Sequence, residues 1–169
     1  MKTREDILNV DVHQIDMLVF DFDGVMTDNR VLVDECGIES VFVSRADGMG
    51  INMLKEAGFE CMILSTEQNA VVGKRAEKLK INVIQGVGNK KEVLRRYVES
   101  RGMNLENILY VGNDINDLEA MQIVGISVVP SDAYEIVKKE ADVVLETRGG
   151  YGVVRELAEY LTADSAKGE

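Results

Sequence analysis

Asp21 and Asp23 follow the apolar run Met17–Phe20 and stand two residues apart, with Gly24 next and Thr27-Asp28 just beyond. Residues two apart on a strand share a face. Two carboxylates on one face at the end of a buried strand repel each other and lose water, which is costly unless a cation or a proton resolves it. Polar residues also end later apolar runs: Ser65 after residues 61–64, Lys90 after the turn at 86–89, and Asn113-Asp114 after Ile108–Val111.

Phosphoryl transfer to a carboxylate needs such a set. A nucleophilic aspartate must sit beside a divalent cation, and Asp21 fits that place as nucleophile and metal ligand. A second acid must protonate the leaving oxygen and then activate water; Asp23 fits, with its backbone carbonyl on the metal. Ser65 would donate to the phosphoryl oxygens, and Lys90 would neutralise both phosphate and Asp21. Asn113 or Asp114 would complete a magnesium octahedron. Asp117 would position Lys90 or favour the start of its own helix. Each residue alone has an ordinary explanation: a surface acid, a helix N-cap for Ser65, a surface lysine, a strand-to-helix turn. The weight lies in their joint order at strand ends.

The elements that must hold these groups alternate. Strands are expected at Met17–Phe20, 61–64, Asn82–Ile84, Ile108–Val111, Ile126–Val129 and 143–145. Helices are expected at 51–57, 69–80, 91–101, 118–124, 133–140 and 153–161, with residues 45–50 read as a loop and 162–169 as a frayed tail. Alternation of this kind means a parallel sheet with helices on both faces, and ligands bind at the carboxyl ends of such strands. Between the first two strands, residues 30–33 and 39–43 flank Asp34-Glu35-Cys36-Gly37, a hairpin signal. The hairpin is apolar on more than one face, which fits either a contact with another subunit or packing on its own domain.

Composition narrows the class. A chain of 169 residues, 46% hydrophobic and 29% charged, reads as one soluble globular domain with a sizeable core. A net charge of −11 argues against nucleic acid or an anionic membrane as a partner. There is no apolar run of about 18 residues and no signal peptide at Met1-Lys2-Thr3-Arg4, so a cytoplasmic protein is expected. Cys36 and Cys61 lack metal-type spacing and read as reduced thiols. His13 is the single histidine, which removes any histidine-based metal site or acid–base pair.

The order Asp21-Phe22-Asp23-Gly24-Val25-Met26-Thr27-Asp28, Ser65, Lys90 and Gly112-Asn113-Asp114-Ile115-Asn116-Asp117 resembles the four motifs of the haloacid dehalogenase superfamily. Asp47-Gly48-Met49-Gly50-Ile51, Arg75-Ala76-Glu77-Lys78-Leu79 and Arg148-Gly149-Gly150-Tyr151-Gly152 are similar to one small branch. That branch holds 3-deoxy-octulosonate 8-phosphate phosphatases, nonulosonate 9-phosphate phosphatases and the C-terminal domain of some acylneuraminate cytidylyltransferases. The likeness spans about residues 15–161. It implies a Rossmann-like doubly wound parallel sheet with a β-hairpin insertion and no cap domain. It further implies a Mg2+-dependent phosphatase for a 2-keto-3-deoxy sugar acid phosphate, working as a homotetramer whose hairpins meet and whose neighbouring subunit closes the site. Substrate contacts are implied at Thr27, Arg45, Asp47, Gly48, Glu67, Lys78 and Arg148, with Arg45 or a neighbour's Arg148 taking the sugar carboxylate.

Two positions depart from the pattern. Asn113 stands where the branch usually has aspartate, which removes a negative charge from the metal shell. Ser65-Thr66-Glu67 replaces the Thr-Gly-Arg of octulosonate phosphatases, which tilts the expectation toward a nine-carbon acid. The alternative is an oligomerisation domain partnering an acylneuraminate cytidylyltransferase, with weak or no phosphatase activity.

Overall fold

Met17–Phe20 forms β1, buried at every position, inside a six-stranded parallel sheet. The structure is a computed structural model that describes residues 14–163; His13 and most of the expected frayed tail lie outside the described residues. After β1 the short antiparallel pair β2 (Leu32–Val33) and β3 (Glu39–Ser40) forms the expected hairpin outside the sheet. The chain then enters β4 (Glu60–Leu64), β5 (Asn82–Ile84), β6 (Ile108–Val111), β7 (Ile126–Val129) and β8 (Val143–Val144), giving the order β5-β4-β1-β6-β7-β8.

Side chains alternate across β1, so the sheet has two cores. Leu18 and Phe20 face one that takes Ile51 and Leu54 from α1 (Arg45–Glu56), Val72 and Ala76 from α2 (Ala70–Leu79), and residues of the last helix. Met17 and Val19 face the other, which takes Leu94 and Val98 from α3 (Lys90–Ser100), Met121 from α4 (Leu118–Met121) and Val137 from α5 (Glu135–Lys138). The last helix, α6 (Val153–Thr162), lies against α1. The chain moves outward from β1 to β5, then returns to place β6 on β1's other side. That reversal opens a crevice past the carboxyl ends of β1 and β6, where doubly wound sheets bind ligands.

Three local expectations need correction. β1 ends at Phe20, so Asp21 and Asp23 do not share a strand face; the chain coils into a turn in which Met26 N–H donates to Phe22 C=O at 2.9 Å. Residues 45–50 are helix, because Ser44 caps α1 by accepting from Ala46 N–H. Its glycines serve packing: a Cβ on Gly50 would lie 2.8 Å from the backbone of Arg155, so α1 and α6 touch there through main chain. α4 and α5 are also shorter than the apolar pattern implied, one turn each.

Asp47, implied as a substrate contact, is fully buried and does a structural task instead. α6 begins after Gly152, at φ +111° and without a side-chain cap. Asp47 Oδ1 supplies the cap from α1, accepting from Val154 N–H at 2.9 Å and Arg155 N–H at 3.4 Å. Oδ2 is buried without a hydrogen-bond partner. Burial pushes the Asp47 carboxyl up to about 6, against the opposing pull of the two amides and Arg75. A carboxyl raised in the folded state holds its proton more tightly there than in the unfolded chain. Its ionisation therefore withdraws stability as pH climbs from about 4 through about 6. Asp47→Asn keeps the accepting oxygen and removes that slope. Its unfolding free energy relative to wild type should rise by up to about 3 kcal/mol between pH 4 and pH 7, read by denaturant titration; a difference independent of pH would contradict this assignment.

Candidate active site

Lys90 opens α3, is 3% exposed, and lies between two acids. Its ammonium is 2.8 Å from Asp21 Oδ1 and 2.7 Å from Asp117 Oδ1. Asp117 also accepts from Tyr110 Oη at 2.7 Å and, through Oδ2, from Asn113 N–H at 2.9 Å and Asp114 N–H at 3.2 Å. Asp117 thus contacts Lys90 and two amides of the loop after β6 while standing at the start of α4. Burial pushes the Tyr110 phenol well above its usual range, with Asp117 adding to the effect, so it remains a neutral donor. Burial opposes the Lys90 charge, but Asp21 and Asp117 outweigh it and raise its pKa.

One ammonium does not balance two carboxylates. Burial foremost, and the Asp117 charge next, push Asp21 up to about 8 despite Lys90 and the Phe22 amide. Both of those partners contact Asp21 Oδ1, the Phe22 N–H at 2.7 Å. A divalent cation at Asp21 would resolve the excess negative charge.

Asp23 sits on the turn after β1, half-buried, and accepts from Thr27 Oγ1 at 3.3 Å. Thr27 is fully buried, and its oxygen also receives Gly24 N–H and Asn29 N–H, so it holds the turn together and is not a substrate contact. Burial raises the Asp23 pKa; Glu67 and Glu39 add to the shift, and Thr27 opposes it. The glycines of 148–152 brace the turn from behind. Gly150 N–H donates to Val25 C=O at 2.9 Å, and a Cβ on Gly149 or Gly150 would run into the backbone of Gly24, Thr27 or Asp28.

Asp21, Asp23, Ser65, Asn113 and Asp114 meet around a pit of about 80 Å³, with Asn29, Thr66 and Asn116 completing its wall. Ser65 is 1% exposed and its Oγ accepts from Glu67 N–H at 3.1 Å, leaving the hydroxyl hydrogen to donate. It does not cap α2; Asn69 does, through Val71 N–H. Asn113 lies tight against Gly24, where a Cβ would overlap its amide, and its Oδ1 is buried without a hydrogen-bond partner. An orphaned amide oxygen beside an undercompensated aspartate fits a hard divalent cation, which takes one or two carboxylates plus neutral oxygens. Asp21, Asp23, Asn113 and Asp114 are the residues that would hold it. Among the described residues, no three His, Cys, Asp or Glu side chains form a metal cluster by themselves.

A second cavity of about 240 Å³ adjoins the pit, sharing Asp23 and Asn29 and reaching Arg30, Glu39, Glu67 and Asn69. Glu67 is therefore brought to the site, with Oε1 held by the Gln68 and Asn69 amides at 2.7 Å each. Arg45, Gly48, Lys78 and Arg148 line neither space within this chain. Arg45 is exposed at the start of α1, and Gly48 packs α1 on Leu79. Lys78 lies at the far end of α2, about 12 Å along the helix from Ala70. Arg148 pairs with Asp132 at 3.4 Å and stacks on Tyr151. The sequence reading missed Tyr110, hidden as a strand residue, and Asn29, Arg30 and Glu39, which only the hairpin's fold-back brings to the crevice.

Fold and pit together define a Rossmann-like protein with an acidic ligand site at the carboxyl edge of its sheet. A family model described as haloacid dehalogenase-like hydrolase matches residues 54–157. Among curated relatives, the 3-deoxy-D-manno-octulosonate 8-phosphate phosphatase KdsC of Salmonella typhi is 32% identical over 161 residues, covering 92% of this chain and 86% of the relative. A solved structure from Streptomyces avermitilis MA-4680, described as a HAD family hydrolase, is 45% identical with a TM-score of 0.88, over 91% of this chain and 88% of that one. The Moraxella catarrhalis 3-deoxy-D-manno-octulosonate 8-phosphate phosphatase, solved with magnesium ion, phosphate ion and KDO, is 26% identical with a TM-score of 0.89, over 98% of this chain and 99% of that one. The chain belongs to the haloacid dehalogenase-like hydrolases. Only the hairpin and α1 separate β1 from β4, and no cap domain is present among the described residues.

Two substitutions test the charge arrangement. Lys90→Met leaves two buried carboxylates without their cation and should cost about 3–5 kcal/mol of stability in denaturant unfolding; a loss below about 1 kcal/mol would contradict the shared-cation reading. Asn113→Asp adds a carboxylate at the orphaned oxygen. Calorimetry should show divalent binding tightened about tenfold, the effect of one interaction of about 1.4 kcal/mol, whereas unchanged affinity would remove Asn113 from the ligand set.

Proposed function

We propose that the chain hydrolyses the phosphate monoester of a 2-keto-3-deoxy sugar acid, with Mg2+ as cofactor and a phospho-aspartate on Asp21. The chain is a phosphomonoester hydrolase. The observation that carries the mechanism is the Lys90 ammonium bridging Asp21 and Asp117 beside the orphaned Asn113 oxygen. The substrate class rests on the relatives named for octulosonate 8-phosphate, which support the eight-carbon acid; the departure at Glu67 is the ground for keeping nonulosonate 9-phosphate beside it.

Asp21, the Asp23 carbonyl, Asn113 and Asp114 are the groups that would hold Mg2+, which when bound would supply positive charge at the phosphoryl oxygens. A carboxylate oxygen of Asp21 attacks phosphorus while Lys90 and the Ser65 hydroxyl hold the phosphoryl oxygens. The bond from phosphorus to the sugar oxygen breaks, and Asp23 gives that oxygen its proton; a pKa raised by burial suits it to arrive protonated. Asp23, now ionised, takes a proton from water, whose oxygen attacks the phospho-aspartate and frees phosphate and Asp21.

The proposal extends to assembly and place. Val31, Leu32, Val33, Ile38 and Phe42 are all at least half exposed on and beside the hairpin, an apolar grouping of the kind that marks protein–protein contacts. This supports self-association through the hairpins, which the proposal takes as a homotetramer of single-domain chains in the cytoplasm. Among the described residues no helix is long and apolar enough to cross a membrane. The reading as an oligomerisation domain for a cytidylyltransferase draws on Asn113 alone; the buried triad of Lys90, Asp21 and Asp117 speaks against it, since a structural domain has no use for it.

Phosphate release is the test, measured on octulosonate 8-phosphate, nonulosonate 9-phosphates, a hexose phosphate and a nucleotide, with Mg2+ or chelator. One sugar acid ester should dominate in a chelator-sensitive way. Asp21→Asn should abolish turnover, and Asp23→Asn should lower it on the order of 10²–10⁴-fold. Equal, feeble release from every ester would favour the oligomerisation domain, and undiminished release by Asp21→Asn would overturn the mechanism.

A further inference from the structure

The cavity beyond Asp23 is unevenly charged. Asp23, Glu39 and Glu67 face it as acids, and Arg30 is the one cation among its lining residues. If phosphate occupies the pit, as the sugar-acid reading above requires, the carbon chain must leave past Asp23 and Asn29, the residues common to both spaces. Of the charged groups this chain places there, a substrate carboxylate then meets either the two glutamates or Arg30.

The glutamates are fixed in place. Glu39 Oε2 accepts from Asn69 Nδ2 at 3.1 Å, and Glu67 Oε1 is held by two backbone amides. Both act on Asp23 as negative neighbours, so a substrate carboxylate on their side would be repelled; hydroxyl groups would find acceptors there. Arg30 differs. Its side chain is 78% exposed, and Nε and Nη2 both reach a single oxygen, Asp28 Oδ2, at 2.8 and 2.6 Å. The arginine end of this pair is open to solvent while Asp28 is 12% exposed, and a guanidinium fork presents two parallel donors that match a carboxylate. Within this chain, the arginines named from the resemblance, Arg45 and Arg148, line neither space.

We propose that Arg30 is a specificity-determining residue that recognises the carboxylate of the substrate, exchanging Asp28 for it, while Glu39 and Glu67 direct that carboxylate to Arg30 and accept from the sugar hydroxyls. This rests on the sugar-acid reading and adds a residue outside the family motifs.

The test compares kcat/KM for a 2-keto-3-deoxy sugar acid phosphate and for a hexose phosphate lacking a carboxylate, in wild type, Arg30→Gln and Arg30→Lys. Wild type should prefer the sugar acid ester. Arg30→Gln should lose about 10–100-fold on it, the range of a hydrogen bond to a charged group, at least tenfold more than on the hexose ester and chiefly through KM. Arg30→Lys, which keeps charge but loses the fork, should recover part of the loss. Inhibition by the unphosphorylated sugar acid should weaken in parallel. Equal losses on both esters, or a preference untouched by Arg30→Gln, would overturn the proposal alone. A wild type without preference for the sugar acid ester would overturn the reading beneath it, and the proposal with it.

Discussion

The Lys90 ammonium stands within 2.8 Å of Asp21 and 2.7 Å of Asp117, both shut off from water, so a single positive charge answers two negative ones in a medium that screens poorly. Much of the molecule follows from keeping that arrangement intact. α3 must start at Lys90 for its side chain to reach back under the sheet edge. β6 must carry Tyr110 inward so that its hydroxyl supports Asp117, and the loop after β6 must turn so that two of its amides do the same. The negative charge left over is the feature that an ion beside Asn113 would complete.

The topology explains why this buried charge cluster lies at the carboxyl ends of the strands. Both cores belong to alternating side chains of buried strands, and the crevice between β1 and β6 is where the chain changes direction and leaves space. Asp23 reaches that space from a tight turn, not from a strand. Loop 148–152 holds the turn through contacts that only glycines permit, and α6 anchors the loop: Glu156 accepts from the Glu146 and Thr147 amides at 3.0 and 2.7 Å. Asp47, capping α6 from α1, extends the same support. A motif far from the pit along the chain is thus part of the scaffold of its acid.

Strand positions were legible in the sequence because each is a short apolar run bounded by turn residues, and Asp21, Ser65 and Asn113 because each follows the end of such a run. What was not legible came from contacts between distant segments. Glycines at 48 and 50 resemble loop punctuation until α6 and α2 are placed against α1, when they become helix-packing positions. Asp47 looks like a polar residue of a site, yet its partners are amides more than a hundred residues away. Arg148 and Lys78 carry the charge a substrate acid would want, and nothing local reveals that within this chain one pairs with Asp132 and the other lies in the last turn of α2, away from the residues that line the pit. Arg30 was overlooked for the converse reason: it reads as the first residue of a hairpin, and only the fold-back of that hairpin brings it to the crevice.

Buried charge at Asp21 exceeds what Lys90 neutralises, and in the proposed function a divalent ion makes up the difference. Thermal unfolding of wild type and Asp21→Asn, each with chelator and with saturating Mg2+, tests it most directly. A ligand at about 100 times its Kd adds about 2.7 kcal/mol to the folded state, so wild type should gain roughly 5–10 °C and Asp21→Asn little of that shift. Identical shifts in the two proteins, or none in either, would contradict the account.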